Sequence, residues 1–181
     1  MNSKTTNIHI LAYSSLTVAL IAICSWISIP TIVPFTMQTF AIALTLLLLG
    51  GKNGTTVILA YLLLGAAGIP VFSNMTGGIG HLFGTTGGYL TGFLFMGLVY
   101  WIITKIFTDK FVIKIIALIL GLIICYAFGT IWFVNVYTAN NGAIGYVAAL
   151  GMCVFPYLIP DAIKLALAFA LSYRLKKHIK S

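Results

Sequence analysis

The sequence almost lacks acidic side chains. Asp109 and Asp161 are the only Asp or Glu in 181 residues, and charged residues of both signs make up 7%. A soluble domain of this size is covered by roughly a quarter charged residues. That composition excludes a soluble globular domain and puts lipid where water would otherwise be. Cysteine is also scarce. Cys24, Cys125 and Cys153 are odd in number and unrelated in spacing, which gives neither a disulfide framework nor a metal site; they read as small buried hydrophobes. His9, His81 and His178 lie far apart and form no metal set. No phosphate-binding GxxxxGK[ST] follows a strand, because the only GGK, at 50–52, runs into Asn53. The chain is therefore expected to carry no cofactor, and any ATP hydrolysis belongs to other chains. Enzyme chemistry is not expected either: Ser73 lacks a GxSG-like setting and His81 falls in a loop. No ring of like charges marks a channel.

What is abundant is apolar: 61% of the residues are hydrophobic. Six apolar segments are expected to cross a membrane, at about 9–28, 35–49, 55–69, 84–106, 112–134 and 145–173. The fold expectation is an all-α integral membrane protein, one transmembrane domain over residues 1–181. The second and third segments are short and joined by the turn signal GGKNG. The polar MNSKTTN and the long segment after it read as a span rather than a cleavable signal peptide.

The net charge of +8 would suit nucleic acid if it were clustered on one surface, but its distribution follows the spans. Lys4 precedes span one, Lys52 lies between spans two and three, and Lys105, Lys110 and Lys114 lie between four and five. Arg174, Lys176, Lys177 and Lys180 close span six. The loops after spans one, three and five hold no lysine or arginine. The positive-inside rule then puts the cationic side and both termini in the cytoplasm. The outward loops collect prolines, glycines, aromatics and amides instead: IPTIVPFTMQTF with Gln38, the glycine-dense stretch from Gly68 to Phe93 with Asn74 and Tyr89, and NVYTANNGAIG with Asn135, Tyr137, Asn140 and Asn141. Apolar walls with a few placed polar groups are what an outward-facing small-molecule site requires. The glycines of GGIGHLFGTTGGY point to a re-entrant or capping loop, with tight helix packing as the alternative.

Lys164 is the tenth cation and sits mid-span, three residues after Asp161. Counting from Arg174 puts Lys164 about 15 Å and Asp161 about 20 Å into the bilayer. Facing lipid, each would cost about 2.5–3.5 kcal/mol. Both are therefore expected to face the bundle interior and each other, since a spacing of three puts them on one helical face. Tyr157 extends that stripe. Pro156 and Pro160 predict a kink, or a restart at Pro160 that would set Asp161 in a first turn, where the helix dipole favours a carboxylate. The pair is either a structural lock or a ligand site; inside a membrane the second is the default. Side by side, an acceptor and a donor suit an amide-like group or, through the lysine, an anion.

Four motifs in order along the chain resemble the BioY family, the biotin-specific substrate-binding (S) components of energy-coupling-factor (ECF) transporters. They are PFTMQTF (34–40), AYLLLGAAGIPVF (60–72), GTTGGYLTGF (84–93) and FPYLIPDAIKLALA (155–168). The resemblance implies a six-helix S-component bundle in the cell membrane of a prokaryote. It also implies capture of biotin from outside and uptake energised by a transmembrane T component and two ATPase subunits. By the same resemblance Asp161, Lys164 and Asn74 contact the bicyclic head of biotin, and Gly88 and Tyr89 help to close the pocket. Phe72, Tyr89 and Tyr157 supply walls for the thioether ring and chain, with Gln38 as a further polar contact. The ureido ring offers two N–H donors and one carbonyl, so a carboxylate beside a lysine matches it; which end of biotin meets Lys164 stays open. Small residues Ala12, Ser15, Ala19 and Ala22 on span one form a stripe for close helix approach; the resemblance makes it a docking face for the T component, and internal packing is the alternative. A riboflavin or thiamine binder of the same class would need stacking aromatics for a flat ring system.

Overall fold

The computed structural model describes residues 3–31, 33–107 and 110–179, with side chains for 8–31, 33–107 and 110–177. Lys180 and the side chains of Lys4 and His178 lie outside the described residues.

The chain is mostly helical. Helix α1 spans Ser3–Trp26, α2 Gln38–Ala66, α3 Ile79–Phe83, α4 Gly87–Phe107, α5 Phe111–Asn141, α6 Tyr146–Cys153 and α7 Phe155–Ile179. Five of these are long and apolar enough to cross a membrane: α1, α2, α4, α5 and α7. The purely helical expectation needs one correction. Between α1 and α2 the chain makes a two-residue antiparallel pair, β1 (Ser28–Ile29) with β2 (Phe35–Thr36), in the register Ser28↔Thr36. Met37 N–H then donates to Cys24 O and Ile27 O, tying this hairpin to the end of α1.

The second and third expected spans both map onto α2, overrunning it by three residues at each end, and α2 is broken at Gly50 (φ 78°, ψ 173°). That conformation is essentially reserved for glycine. The break is a reversal: a Cβ placed on Gly54 would lie 3.1 Å from Leu46 Cα. Eight residues of straight helix would separate the two by about 12 Å. The turn signal in GGKNG was therefore correctly placed, and α2 is a helical hairpin.

Two boundaries differ more. The stretch NVYTANN, expected as an outer loop, continues α5 to Asn141, and the helix stops only where Gly142 turns to φ +96°. The last expected span is two helices. The break is at Val154 (φ −128°, ψ −55°), not at Pro160, which is inside α7. Pro156 occupies the first turn of α7, where its missing N–H costs nothing. Asp161 consequently lies in the second turn, and its carboxylate is held by side chains rather than by free first-turn N–H groups.

α4 packs along α5 and α2, while α2 also packs on α1 and α7. The core runs through Ile42, Leu46, Ile58, Tyr61, Met96, Tyr100 and Leu118, all nearly sealed. Large apolar side chains such as Leu11, Leu16, Ile102, Ile123 and Ile163 point outward, as they must where the surrounding solvent is hydrocarbon.

Candidate functional site

At one end of the bundle, α7, α5, α4, the start of α2 and the 28–36 hairpin leave a cavity between them. The cavity and its open mouth together hold about 700 Å³ of non-atom space, open solvent included. Leu90, Phe93, Leu122, Tyr89, Tyr126 and Tyr157 form its walls, and Asp161 and Lys164 provide its charge.

Both charged residues are buried at 4% exposure. Lys164 Nζ donates to Asp161 Oδ1 at 2.7 Å and to the Thr36 carbonyl at 2.7 Å. The ammonium also sits 3.9 Å from the ring centroid of Phe35. The second carboxylate oxygen, Oδ2, accepts from Tyr126 Oη at 2.5 Å. Every charge in the cavity is thus compensated within the protein, yet each carboxylate oxygen keeps a lone pair for a further donor, and the ammonium keeps one of its three protons. The pair can serve a guest carrying N–H and C=O groups without leaving a bare buried ion, the costly case.

The sequence-predicted residues divide. Tyr157 lines the cavity, donates to Val33 O, meets Thr31 Oγ1 at 2.9 Å and stacks on Phe35 at 5.7 Å. Tyr89 lines it and pairs with Thr130 Oγ1 at 3.0 Å. Gln38 lines it as well; its Nε2 donates to Tyr61 Oη at 2.7 Å, and that hydroxyl donates to Val71 O. Asn74 is exposed in an adjoining cleft that shares Pro34, Ser73, His81 and Thr86 with the cavity, and its Oδ1 accepts from Ser28 Oγ. Asn74 and Met75 both adopt positive φ (57° and 56°), an uncommon backbone for residues other than glycine.

One expected wall residue, Phe72, and one residue expected to help close the pocket, Gly88, are elsewhere. Phe72 is sealed at 1% exposure and packs edge-on to Tyr61, in a slot that exists because residue 65 is glycine: a Cβ there would meet the Phe72 ring at 2.0 Å. Gly88 does not line the cavity; it lets α4 approach α5, since its Cβ would lie 2.3 Å from Trp132 Cβ. The glycine-dense stretch is therefore part loop, with the short helix α3, and part close helix packing. On α1, Ser15 and Ala19 are exposed in a groove facing Thr56, Ala60 and Leu64. Ala22 also touches this groove but is otherwise buried in the core, and Ala12 is exposed outside it.

Sequence reasoning missed Tyr126, Phe35 and the Thr36 carbonyl. Phe35 and Thr36 belong to PFTMQTF, which stands out in the sequence for Gln38 and for the family resemblance, not for these two residues. Tyr126 carries no local mark, being one aromatic in an apolar run. Cys125 and Cys153 are buried, as expected of small hydrophobes, and both border the cavity.

The chain is similar to known proteins in fold and in sequence. A crystal structure at 2.1 Å of the S-component for biotin from an ECF-type ABC transporter superposes with a TM-score of 0.82 at 28% identity, over 98% of this chain and 95% of that one. The biotin transporter BioY of Thermotoga maritima is 39% identical over 160 residues, 88% of this chain and 90% of its own length. Biotin transporter BioY2 of Lactococcus lactis is 37% identical over 178 residues, 94% and 96% of the two chains. These relatives are transporters, not enzymes, and the apolar helices here make a multi-pass membrane protein. The BioY family model matches residues 1–181, and the chain belongs to the BioY family.

Proposed function

We propose that this protein captures biotin from outside the cell and takes it up across the membrane as the S component of an ECF-type ATP-driven transporter. The observation that carries the reading is the Asp161–Lys164 pair, buried at 4% exposure against a mostly apolar cavity. The family membership points the same way. In this reading Asp161 accepts from the ureido N–H groups, while Lys164 donates its remaining proton to the ureido carbonyl or to the ligand carboxylate. Charge-assisted bonds in a cavity shielded from water are the strong kind. Tyr89 and Tyr157 flank the rings, Gln38 closes one polar wall, and Asn74 meets the ligand from the adjoining cleft.

Six membrane crossings fit the Gly50 reversal, which turns α2 into two antiparallel segments. With the cations on the inner side, as the positive-inside rule asks, both termini are cytoplasmic and the cavity opens outward. Lys52 and Lys105 support this, since they border one shared cleft. The host membrane is the plasma membrane of a prokaryote. The chain uses no cofactor of its own: biotin is cargo, and ATP is consumed by two ATPase subunits joined through a transmembrane T component. The groove beside Ser15 and Ala19 is the docking face for that T component.

Calorimetric titration with biotin tests the site. Wild type binds tightly, and Asp161→Asn and Lys164→Ala both bind far more weakly; variants that bind like wild type would make the pair structural. Biotin with its carboxylate amidated decides the ligand's orientation, because it binds much more weakly only if Lys164 holds that carboxylate. Co-purification with a T component, lost on Ala19→Trp while biotin binding persists, tests the docking face.

A further inference from the structure

We infer that Tyr126 is a positioning residue for the guest: its hydroxyl fixes the plane of the Asp161 carboxylate so that the free lone pairs face the cavity. The inference rests on the biotin reading for the identity of the guest and on the ligand-free geometry for the rest.

Asp161 is held at two points. Lys164 takes Oδ1 from the same helix, and Tyr126 takes Oδ2 from α5. A carboxylate gripped at one oxygen only can turn about its Cβ–Cγ bond; gripped at both by donors on different helices, it cannot. α5 packs extensively on α4 but has no comparable packing against α7. The Tyr126–Asp161 bond spans this less tightly packed seam, which the edge-on rings of Phe111 and Phe169 also bridge at 5.5 Å. Tyr126 and Asp161 line the same cavity, so the bond forms part of its wall.

The consequence is selectivity by bond type. With both oxygens already accepting, each retains one acceptor position in the carboxylate plane. A guest can use those positions only by presenting hydrogen-bond donors there, which the two N–H groups of a cyclic urea do and an ester or a thioether does not.

The test is a double-mutant cycle on the purified full-length chain, read by biotin titration of wild type, Tyr126→Phe, Asp161→Asn and the double variant. Tyr126→Phe should raise the dissociation constant about ten- to a hundredfold, the value of one hydrogen bond to a charged group. It should change little once Asp161 is Asn. An unchanged constant in Tyr126→Phe, or an equal loss in both backgrounds, overturns the proposal, since a purely structural tyrosine would matter equally in each. Infrared spectra of the ligand-free protein separate this from the biotin reading. The carboxylate band lost in Asp161→Asn should shift in Tyr126→Phe, and should also shift when difluorotyrosine, a stronger donor, replaces Tyr126. If wild type binds no biotin, the biotin reading falls and the band decides: a shift upholds the positioning role, and no shift overturns it.

Discussion

The ammonium of Lys164 rests 3.9 Å from the centre of the Phe35 ring, and that ring stacks on Tyr157 at 5.7 Å with 28° between planes. The hairpin between α1 and α2 thus brings an aromatic platform to Lys164, the only lysine or arginine among the described residues lining the cavity. Lys164 also donates to the carbonyl of Thr36, the next residue, so one short loop both shields the cation and accepts from it.

Phe35→Leu should consequently weaken more than packing. A desolvated cation–π contact is worth about 2 kcal/mol, and the stack on Tyr157 adds about 0.5–1.5 kcal/mol. The variant should melt at a lower temperature in detergent and bind biotin more weakly, while Phe35→Tyr should stay near wild type in both. Equal behaviour of the Leu and Tyr variants would remove the cation from the account.

The charge pair itself makes a sharper prediction. Removing one member of a buried pair leaves an uncompensated charge and costs about 3–5 kcal/mol. Lys164→Met should therefore destabilise strongly, even with Tyr126 still bonded to Asp161. The double variant Asp161→Leu with Lys164→Met should be less destabilised than Lys164→Met alone, because nothing charged remains to be desolvated, yet it should lose biotin binding. Thermal unfolding and titration on the same samples check both halves. A double variant as unstable as the sum of its parts would mean that the two residues do not act as a unit.

The two charged residues were legible because charge within an apolar run has one affordable arrangement: inward, and paired at a spacing of three. The hairpin in α2 was legible from GGKNG for a similar reason, since Gly50 supplies a backbone few other residues adopt. The break at Val154 was not: Pro156, in the first turn of α7, marked the neighbourhood, but Val154 itself is no breaker, and the restart expected at Pro160 is absent because Pro160 fits inside α7. Phe72 looked like a cavity wall but fills a slot opposite Gly65. Tyr126 was invisible because its role depends on where α5 lies relative to α7, which no local pattern encodes. Polarity in the sequence marked the site, and Tyr89 and Tyr157 were expected in its wall; Tyr126 and Phe35 came only with the packing.

Gly129 shows how packing shapes the wall. A Cβ there would lie 2.2 Å from Tyr89 Cδ1, so Gly129→Ala must push the Tyr89 ring, itself a wall of the cavity. Overpacking of this kind costs about 1–3 kcal/mol. The variant should melt earlier and bind biotin less tightly, and the cost should shrink in a Tyr89→Leu background, where the ring is gone. A cost independent of residue 89 would place the clash elsewhere.

Gly50 separates backbone strain from crowding. Its Cβ would meet nothing within 4 Å, so space alone predicts that alanine is harmless. Its φ of 78° with ψ of 173° predicts the opposite: side-chain-bearing residues in that region cost about 1–3 kcal/mol. Gly50→Ala should therefore lower the melting temperature although no contact is lost, and Gly50→Asn should do no better, because this is not the left-handed helical region that asparagine tolerates. Gly145→Ala provides the control: it too is open within 4 Å, but its φ is an ordinary −74°, and it should stay near wild type. If alanine is tolerated equally at both positions, the reversal in α2 does not depend on glycine at residue 50, and the case for two separate crossings within α2 loses its local cause.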